Sequence, residues 1–302
     1  GIRDLYGVAA QAPGLYFESL WGGFGSAPVM RAQSQPTFGG DNVGVFVDGV
    51  YQANRFGMDV EPLDLERIEV VRGPQSALFG HSSFAGALHF VPRQPRAAPE
   101  AGFMLEIDDA DSRIAQAHAS GALAGERLLA RVAVGWRDQG GLERNLAVPR
   151  ERLGGFERRS AALTLATPAE SAWQVSLAAR LQTQHSAHPA TSVLDWRSYN
   201  CGARDAQLAA WSYFCGPVPV ATRFAISPGL PDSETDLRQL RLHVGGALGG
   251  VNLEADTRWY RSWSLIVRDY DGSPGGELFG VCDERFGCPG PGGPPLAVIR
   301  QV

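Results

Sequence analysis

From residue 101 onward apolar and polar residues alternate, and this period of two constrains the chain more than any other feature. In Leu128 to Arg137, the residues Leu128, Ala130, Val132, Val134 and Trp136 alternate with Leu129, Arg131, Ala133, Gly135 and Arg137. Trp173 to Gln184 and Val251 to Ser262 repeat the pattern. Weaker versions lie at 101–109, 114–123, 158–166 and 237–248, making seven expected strands. Successive β side chains point to opposite faces, so each run has one greasy and one polar face. A soluble sandwich alternates in the same way, and the links separate the two cases. Ala124 to Arg127, Thr167 to Ala172 and Gly249-Gly250 are short, whereas Gln139 to Glu157, His185 to Asp236 and the tail after Trp263 are long. Short turns at one end and long loops at the other are the pattern of a membrane-spanning antiparallel barrel. Trp136, Trp173 and Trp259 fall on the greasy face near strand ends, where aromatic girdles sit.

Composition narrows the partners. All 27 basic residues are Arg, the net charge is -5, and no basic block exists, which argues against nucleic acid. No run of about 18 apolar residues is present to form a transmembrane helix. Gly1-Ile2-Arg3-Asp4 does not begin a signal peptide, so the expectation is a mature chain or one whose beginning is missing. Seven strands cannot close a bacterial barrel, which uses an even number.

The first 97 residues read differently. Leu65 to Val71 is a β-favouring run, stopped by Arg72-Gly73-Pro74, where Pro lacks a donor and Gly takes angles other residues resist. Gly80 and Gly86 bracket a small polar loop, and Ala87 to Val91 resumes as a strand. A phosphate-binding loop is excluded, because six residues separate Gly73 from Gly80 and His81 stands where Lys belongs.

This order of residues resembles the plug domain of TonB-dependent outer-membrane receptors. The resemblance is carried by Leu65 to Val70 with Glu66, Arg67 and Glu69, by the Arg72-Gly73-Pro74 turn, and by Phe79-Gly80. Ser82 to Gly86, Leu88 to Pro92 and Val45 to Tyr51, with Asp48-Gly49, complete it. Ala12 to Leu15 matches the early plug turn. Met30-Arg31-Ala32 departs from the family at Ala32, where glycine is usual, which places the glycine-only backbone there in question.

The resemblance implies a mixed α+β plug over residues 1–97, followed by transmembrane antiparallel β-barrel strands over 98–302. The barrel is then incomplete, with about seven of an expected 22 strands and its end in an extracellular loop. An eight-stranded ring is too narrow to hold a plug, and a plugged lumen goes with about 22 strands. The implied function is TonB-energised uptake of a scarce nutrient in the bacterial outer membrane, most often an iron-siderophore complex. A glycan, cobalamin or haem as cargo, a non-transporting signalling receptor and an inert truncated product are the alternatives. The implied partners are the TonB-ExbB-ExbD complex, whose coupling peptide lies upstream of Gly1, outer-membrane lipid, and a ligand such as a ferric siderophore. The receptor is expected to act as a monomer without a cofactor. By placement, two apical plug loops bearing Gln33, Gln35, Phe38, Gln52, Asn54, Arg55 and Phe56 face the cargo. Arg31 and Arg72 hold positions that pair with barrel carboxylates.

The four cysteines form two local pairs, Cys201 with Cys215 and Cys282 with Cys288, each within one long loop assigned to the outside. An oxidising location makes them disulfides. Zinc is the competing reading, and no His falls at ligand spacing beside either pair. Asp269, Asp271 and Ser273 begin like a calcium loop, but Gly280 stands where the bidentate Glu belongs. No metal site and no catalytic set is expected.

Overall fold

A computed structural model of the chain describes residues 5–19, 26–33, 42–53, 60–74, 82–109, 111–123, 127–191, 216–217, 223–226, 230–269 and 296–301. Helix α1 (Leu5–Gln11) opens the chain and buries Leu5 and Val8 while Tyr6 faces out. Strands β1 (Leu15–Ser19) and β2 (Ser26–Met30) pair antiparallel, with Tyr16 opposite Val29. Four further strands form one sheet: β3 (Val43–Val47), β4 (Val50–Tyr51), β5 (Leu65–Arg72) and β6 (Gly86–Pro92), in the order β4-β3-β6-β5. Every residue of β3 is buried, as its unbroken run of apolar residues and glycine requires of a strand covered on both faces. β3 runs parallel to β6, with Val45 opposite Leu88 and Val47 opposite Phe90, and β5 lies antiparallel on the other side of β6.

Val43, Val45, Val47, Leu88 and Phe90 pack with Leu5, Leu15 and Met30 in one apolar cluster. Each such side chain contributes about 1.5–3 kcal/mol relative to exposure. Gly86 is required at its position, because a Cβ there would run into the Val71 carbonyl oxygen and the Met30 sulfur. Asp48 and Gly49 both take left-handed angles, φ 50° and 72°, and close the β3-β4 hairpin with a two-residue turn.

The second sheet is the wall. Its strands are β7 (Glu100–Ile107), β8 (Ser112–Leu123), β9 (Leu128–Gln139), β12 (Phe156–Ala166), β13 (Trp173–Ser186), β14 (Ser233–Leu248), β15 (Val251–Asp269) and β16 (Leu296–Gln301). Sheet neighbours follow chain order, each pair antiparallel, from β7 at one edge to β16 at the other. The link from β9 to β12 carries a small ladder, β10 (Glu143–Arg144) with β11 (Arg152–Leu153). There Asn145 is buried and fixed to Ile226 by two hydrogen bonds, so two long links are tied together.

All seven strands expected from the alternation are present. An eighth, β16, pairs with the upper part of β15, Ser264 with Gln301 and Asp269 with Leu296. The expected outer loop from Trp263 to the last residue is therefore corrected. β15 continues to Asp269, and the chain returns to the sheet at Leu296. β14 likewise begins at Ser233, four residues before its alternation becomes regular.

Burial in the wall runs opposite to that in the plug. Val132, Val134 and Leu181 are 46%, 50% and 52% exposed, whereas Arg131, Arg158 and Arg180 on the other face are 3%, 3% and 5% exposed. Trp173 and Trp259 stand on the apolar outer face, as expected. A sheet that buries guanidinium and exposes valine is organised for an apolar surrounding outside and a polar filling within.

Candidate functional site

The plug meets the wall through a short extended segment, Val60 to Asp64, immediately before β5. Val60 and Leu63 are buried, and the Leu63 amide donates to the Glu61 carbonyl at 2.7 Å across Pro62, forming a tight kink. Glu61, 2% exposed, is turned into the wall. Its carboxylate accepts from Arg137 Nη2 at 3.1 Å and Arg158 Nη1 at 3.0 Å, and from Gln116 Nε2 at 3.3 Å. Its carbonyl accepts from Arg180 Nη2 at 2.5 Å, and its amide donates to Gln182 Oε1 at 3.1 Å. These donors and acceptors belong to four adjacent strands, β8, β9, β12 and β13.

Three residues on, Asp64 takes a left-handed backbone (φ 51°) and presents both oxygens to Arg131, at 2.5 and 2.7 Å, in a bidentate pair. Leu63, between the two acids, lies over Gly135 of β9, with its Cδ1 3.0 Å from where a Cβ on that glycine would stand. Gly135 is thus a notch that admits the segment.

A second contact lies at the β3-β4 turn. Asp48 Oδ1 accepts from Arg241 Nη1 at 2.7 Å, and Arg241 Nη2 also reaches Asp256, which binds Arg258. Burial pushes the Asp48 carboxyl above its ordinary value, an effect that the Arg241 charge opposes. Behind the turn, Gly49 donates its amide to His89 Nε2 at 3.0 Å, so His89 Nδ1 carries the proton toward Glu69 Oε2, 3.0 Å away. Glu69 is also bonded by Arg67 at 2.7 Å, and that bond is the main cause holding its carboxyl below the ordinary range. Asp48, Glu69, His89, Arg241 and Arg258 line a cavity of about 510 Å³ between plug and wall.

The structure distributes the sequence-predicted residues unevenly. Glu66, Arg67 and Glu69 sit on β5, Arg67 within 3.5 Å of Glu66, and Arg72, Gly73 and Pro74 follow as the strand end. Gly73 has φ 92°. Gln33 is exposed at the end of the β2 turn. Gln52 was expected to face cargo and instead is wholly buried. Its Nε2 donates to the Val50 carbonyl at 2.9 Å and to Gln239 Oε1 of β14 at 3.1 Å, so it joins plug to wall. Gln35, Phe38, Asn54, Arg55, Phe56, Gly80 and all four cysteines lie outside the described residues.

Arg31 and Arg72 are exposed, and neither forms an ion pair with a described residue. The expected pairing is reversed in sign at the described interface: the plug supplies the carboxylates Glu61, Asp64 and Asp48, and the wall supplies the arginines. Sequence reasoning missed this set. The available signal was the placement of Arg131, Arg137, Arg158 and Arg180 on polar faces of successive strands, with two acids flanking Pro62. Ala32, the departure from glycine, does adopt the left-handed angle, φ 61°.

Chemically the interface is a clamp of charged pairs. Charge-assisted bonds to buried guanidinium hold the plug segment without exposing either charge to an apolar medium. Among the described residues no group of three His, Cys, Asp or Glu is arranged to hold a metal ion.

The model of the family described as the TonB-dependent receptor plug domain matches residues 1–87. A ferrioxamine receptor of Yersinia enterocolitica is 33% identical over 81 residues, 26% of this chain and 11% of that protein. A probable TonB-dependent receptor, BfrD, of Bordetella pertussis is 33% identical over 98 residues, 32% and 12% of the two chains. The crystal structure of the ferric yersiniabactin uptake receptor FyuA from Yersinia pestis overlays with a TM-score of 0.64 at 20% identity, covering 88% of this chain and 43% of that one. The siderophore receptor PiuA from Acinetobacter baumannii overlays at 0.68 and 15% identity, covering 88% and 35%. The chain thus spans less than half the length of these solved receptors, and the likeness to them is one of fold.

Proposed function

Because the chain belongs to the TonB-dependent receptor family, with that family's plug set against strands of its barrel wall, we propose that it serves active uptake of a ferric siderophore across the bacterial outer membrane. The observation that carries the reading is the interface itself: a plug with its own apolar core, held to an otherwise outward-greasy wall by a cluster of charged and polar contacts around Glu61, Asp64 and Asp48. Such a joint closes the lumen at rest and can be released without unfolding either partner. TonB, energised with ExbB and ExbD at the inner membrane, supplies the pull in this reading. Gln33, Gln35, Phe38, Asn54, Arg55 and Phe56 are the proposed cargo-facing residues, and Gln52 is withdrawn from that set. The pairs Cys201–Cys215 and Cys282–Cys288 are proposed as disulfides that hold outer loops.

Two of the receptors named above are described as receptors for ferrioxamine and ferric yersiniabactin, and these are the first chelates to test. A strain lacking the gene is grown under iron limitation with each as sole iron source, with and without TonB. Gene- and TonB-dependent growth on one chelate supports the reading. Growth unaffected by the deletion on every iron chelate, with loss of growth on a glycan or cobalamin instead, overturns the iron assignment.

A further inference from the structure

The wall arginines share one geometry and one class of partner. Arg131 and Arg137 on β9, Arg158 on β12, Arg180 on β13 and Arg241 on β14 all point to the plug side and all bind plug oxygen. Three of them, Arg137, Arg158 and Arg180, meet on the single residue Glu61, and a fourth holds Asp64 three residues on. The segment that satisfies them is not part of the plug sheet. It is an extended stretch, residues 60–64, carrying its two carboxylates on a kinked backbone.

Moving this segment away removes the Glu61 carboxylate that Arg137 and Arg158 share and the Asp64 carboxylate on Arg131, while Glu100 and Gln184 stay with the wall, so the row is left with an excess of buried positive charge. An anion of similar oxygen geometry relieves that excess. A neutral or cationic solute does not, and a cation adds repulsion. We propose that residues 60–64 act as a built-in stand-in for an anionic cargo. When the plug moves, the arginine row on β9, β12 and β13 takes up the carboxylate or phenolate oxygens of a negatively charged ferric chelate in transit. Glu61 and Asp64 re-close the row once the chelate has passed. This inference rests on the transport reading and adds to it a substrate class, the anionic chelates, and an inner site distinct from the apical loops.

The test uses the whole receptor containing this chain, reconstituted in planar bilayers under a potassium chloride gradient, with urea added to loosen the plug. The reversal potential gives the chloride-to-potassium preference. The opened wild-type receptor is expected to prefer chloride, and Arg137→Gln, Arg158→Gln and Arg180→Gln together are expected to lower that preference several-fold. Glu61→Gln with Asp64→Asn, which leaves the arginines in place and suits the left-handed angle at 64, is expected to open a chloride-preferring conductance without urea. If the triple variant does not fold, Arg158→Gln alone carries the test with a smaller shift in the same direction. A potassium-preferring pore, or a reversal potential the arginine variants do not move, overturns the anionic-cargo inference and leaves the transport reading intact. An inserted receptor that passes neither ion in urea overturns the inference, because the row then never opens to solution, and the transport reading is decided separately by the growth test.

Discussion

The plug sheet and the wall sheet bury opposite kinds of side chain. In the plug, Val43, Val45, Val47, Leu88 and Phe90 are interior, and Glu66 and Arg67 are at the surface. In the wall, Arg131, Arg158 and Arg180 are interior, and Val132, Val134 and Leu181 are at the surface. Local β propensity cannot produce that difference, since valine and leucine fill both sets. What differs is which face each sheet covers: the plug packs its apolar residues inward, whereas the wall sets its arginines against the plug and leaves its apolar residues exposed. The joint between them is accordingly rich in charge pairs, with Leu63 packed between them over Gly135.

The comparison breaks first at the two interiors. Phe90→Ala removes the largest fully buried side chain of the plug core and is expected to cost about 3–5 kcal/mol, read from urea unfolding of the plug. Glu61→Ala attacks the joint and is expected to cost about 3 kcal/mol or more, because it strands buried arginines. In a double-mutant cycle with Arg158→Ala the double variant is then expected to cost well less than the sum of the two single changes; independent effects of the two changes would argue against the clamp. Next comes the outer face. Val134→Arg is expected to cost about 2–4 kcal/mol in folding from urea into vesicles if the residue sits near mid-membrane, and little in a soluble protein.

Acidity sharpens the comparison within the joint. Asp48 has its folded value raised by burial, so the folded state binds the proton more tightly than the unfolded one. Its contribution to stability is therefore full below the ordinary aspartate value of 3.8 and falls as pH rises from there through the raised value. Glu69, lowered through Arg67, acts the other way: its contribution is present above the ordinary glutamate value of 4.5 and is lost as pH falls through the lowered value. Asp48→Asn should flatten the decline on the neutral side, and Glu69→Gln the loss on the acid side, in unfolding curves taken across that range. The smallest effect is expected at Ala32, where Gly relieves a left-handed alanine at φ 61°. The relief of about 1–2 kcal/mol is partly offset by unfolded-chain entropy, leaving a gain below about 1 kcal/mol.

Much of the architecture was legible because it depends on period and punctuation. The period of two located seven wall strands from Ala101 to Ser262, and Asp48-Gly49 and Gly249-Gly250 marked two turns. The eighth strand was not legible. Leu296 to Gln301 is six residues long, follows a stretch rich in Gly and Pro, and pairs with a part of β15 whose sequence, Trp263 to Asp269, no longer alternates. The plug-wall joint was legible only in part. The inward arginines could be placed by parity, but their partners lie up to 193 residues away in the Asp48–Arg241 contact, and no local pattern encodes such pairing. Gln52 failed for a related reason: its loop position said nothing of the barrel strand packed over it.

The central claim is that the wall turns its apolar face to lipid and its arginine face to the plug. It is tested most directly by spin labels placed one at a time from Leu129 to Trp136, in a background with Cys201, Cys215, Cys282 and Cys288 replaced by Ser, in lipid vesicles. The account predicts that oxygen collisions are high at Ala130, Val132, Val134 and Trp136 and low at Leu129, Arg131, Ala133 and Gly135, with a water-soluble relaxant excluded from the first set. Free access of that relaxant to Val132 and Val134, or loss of the alternation, would contradict it.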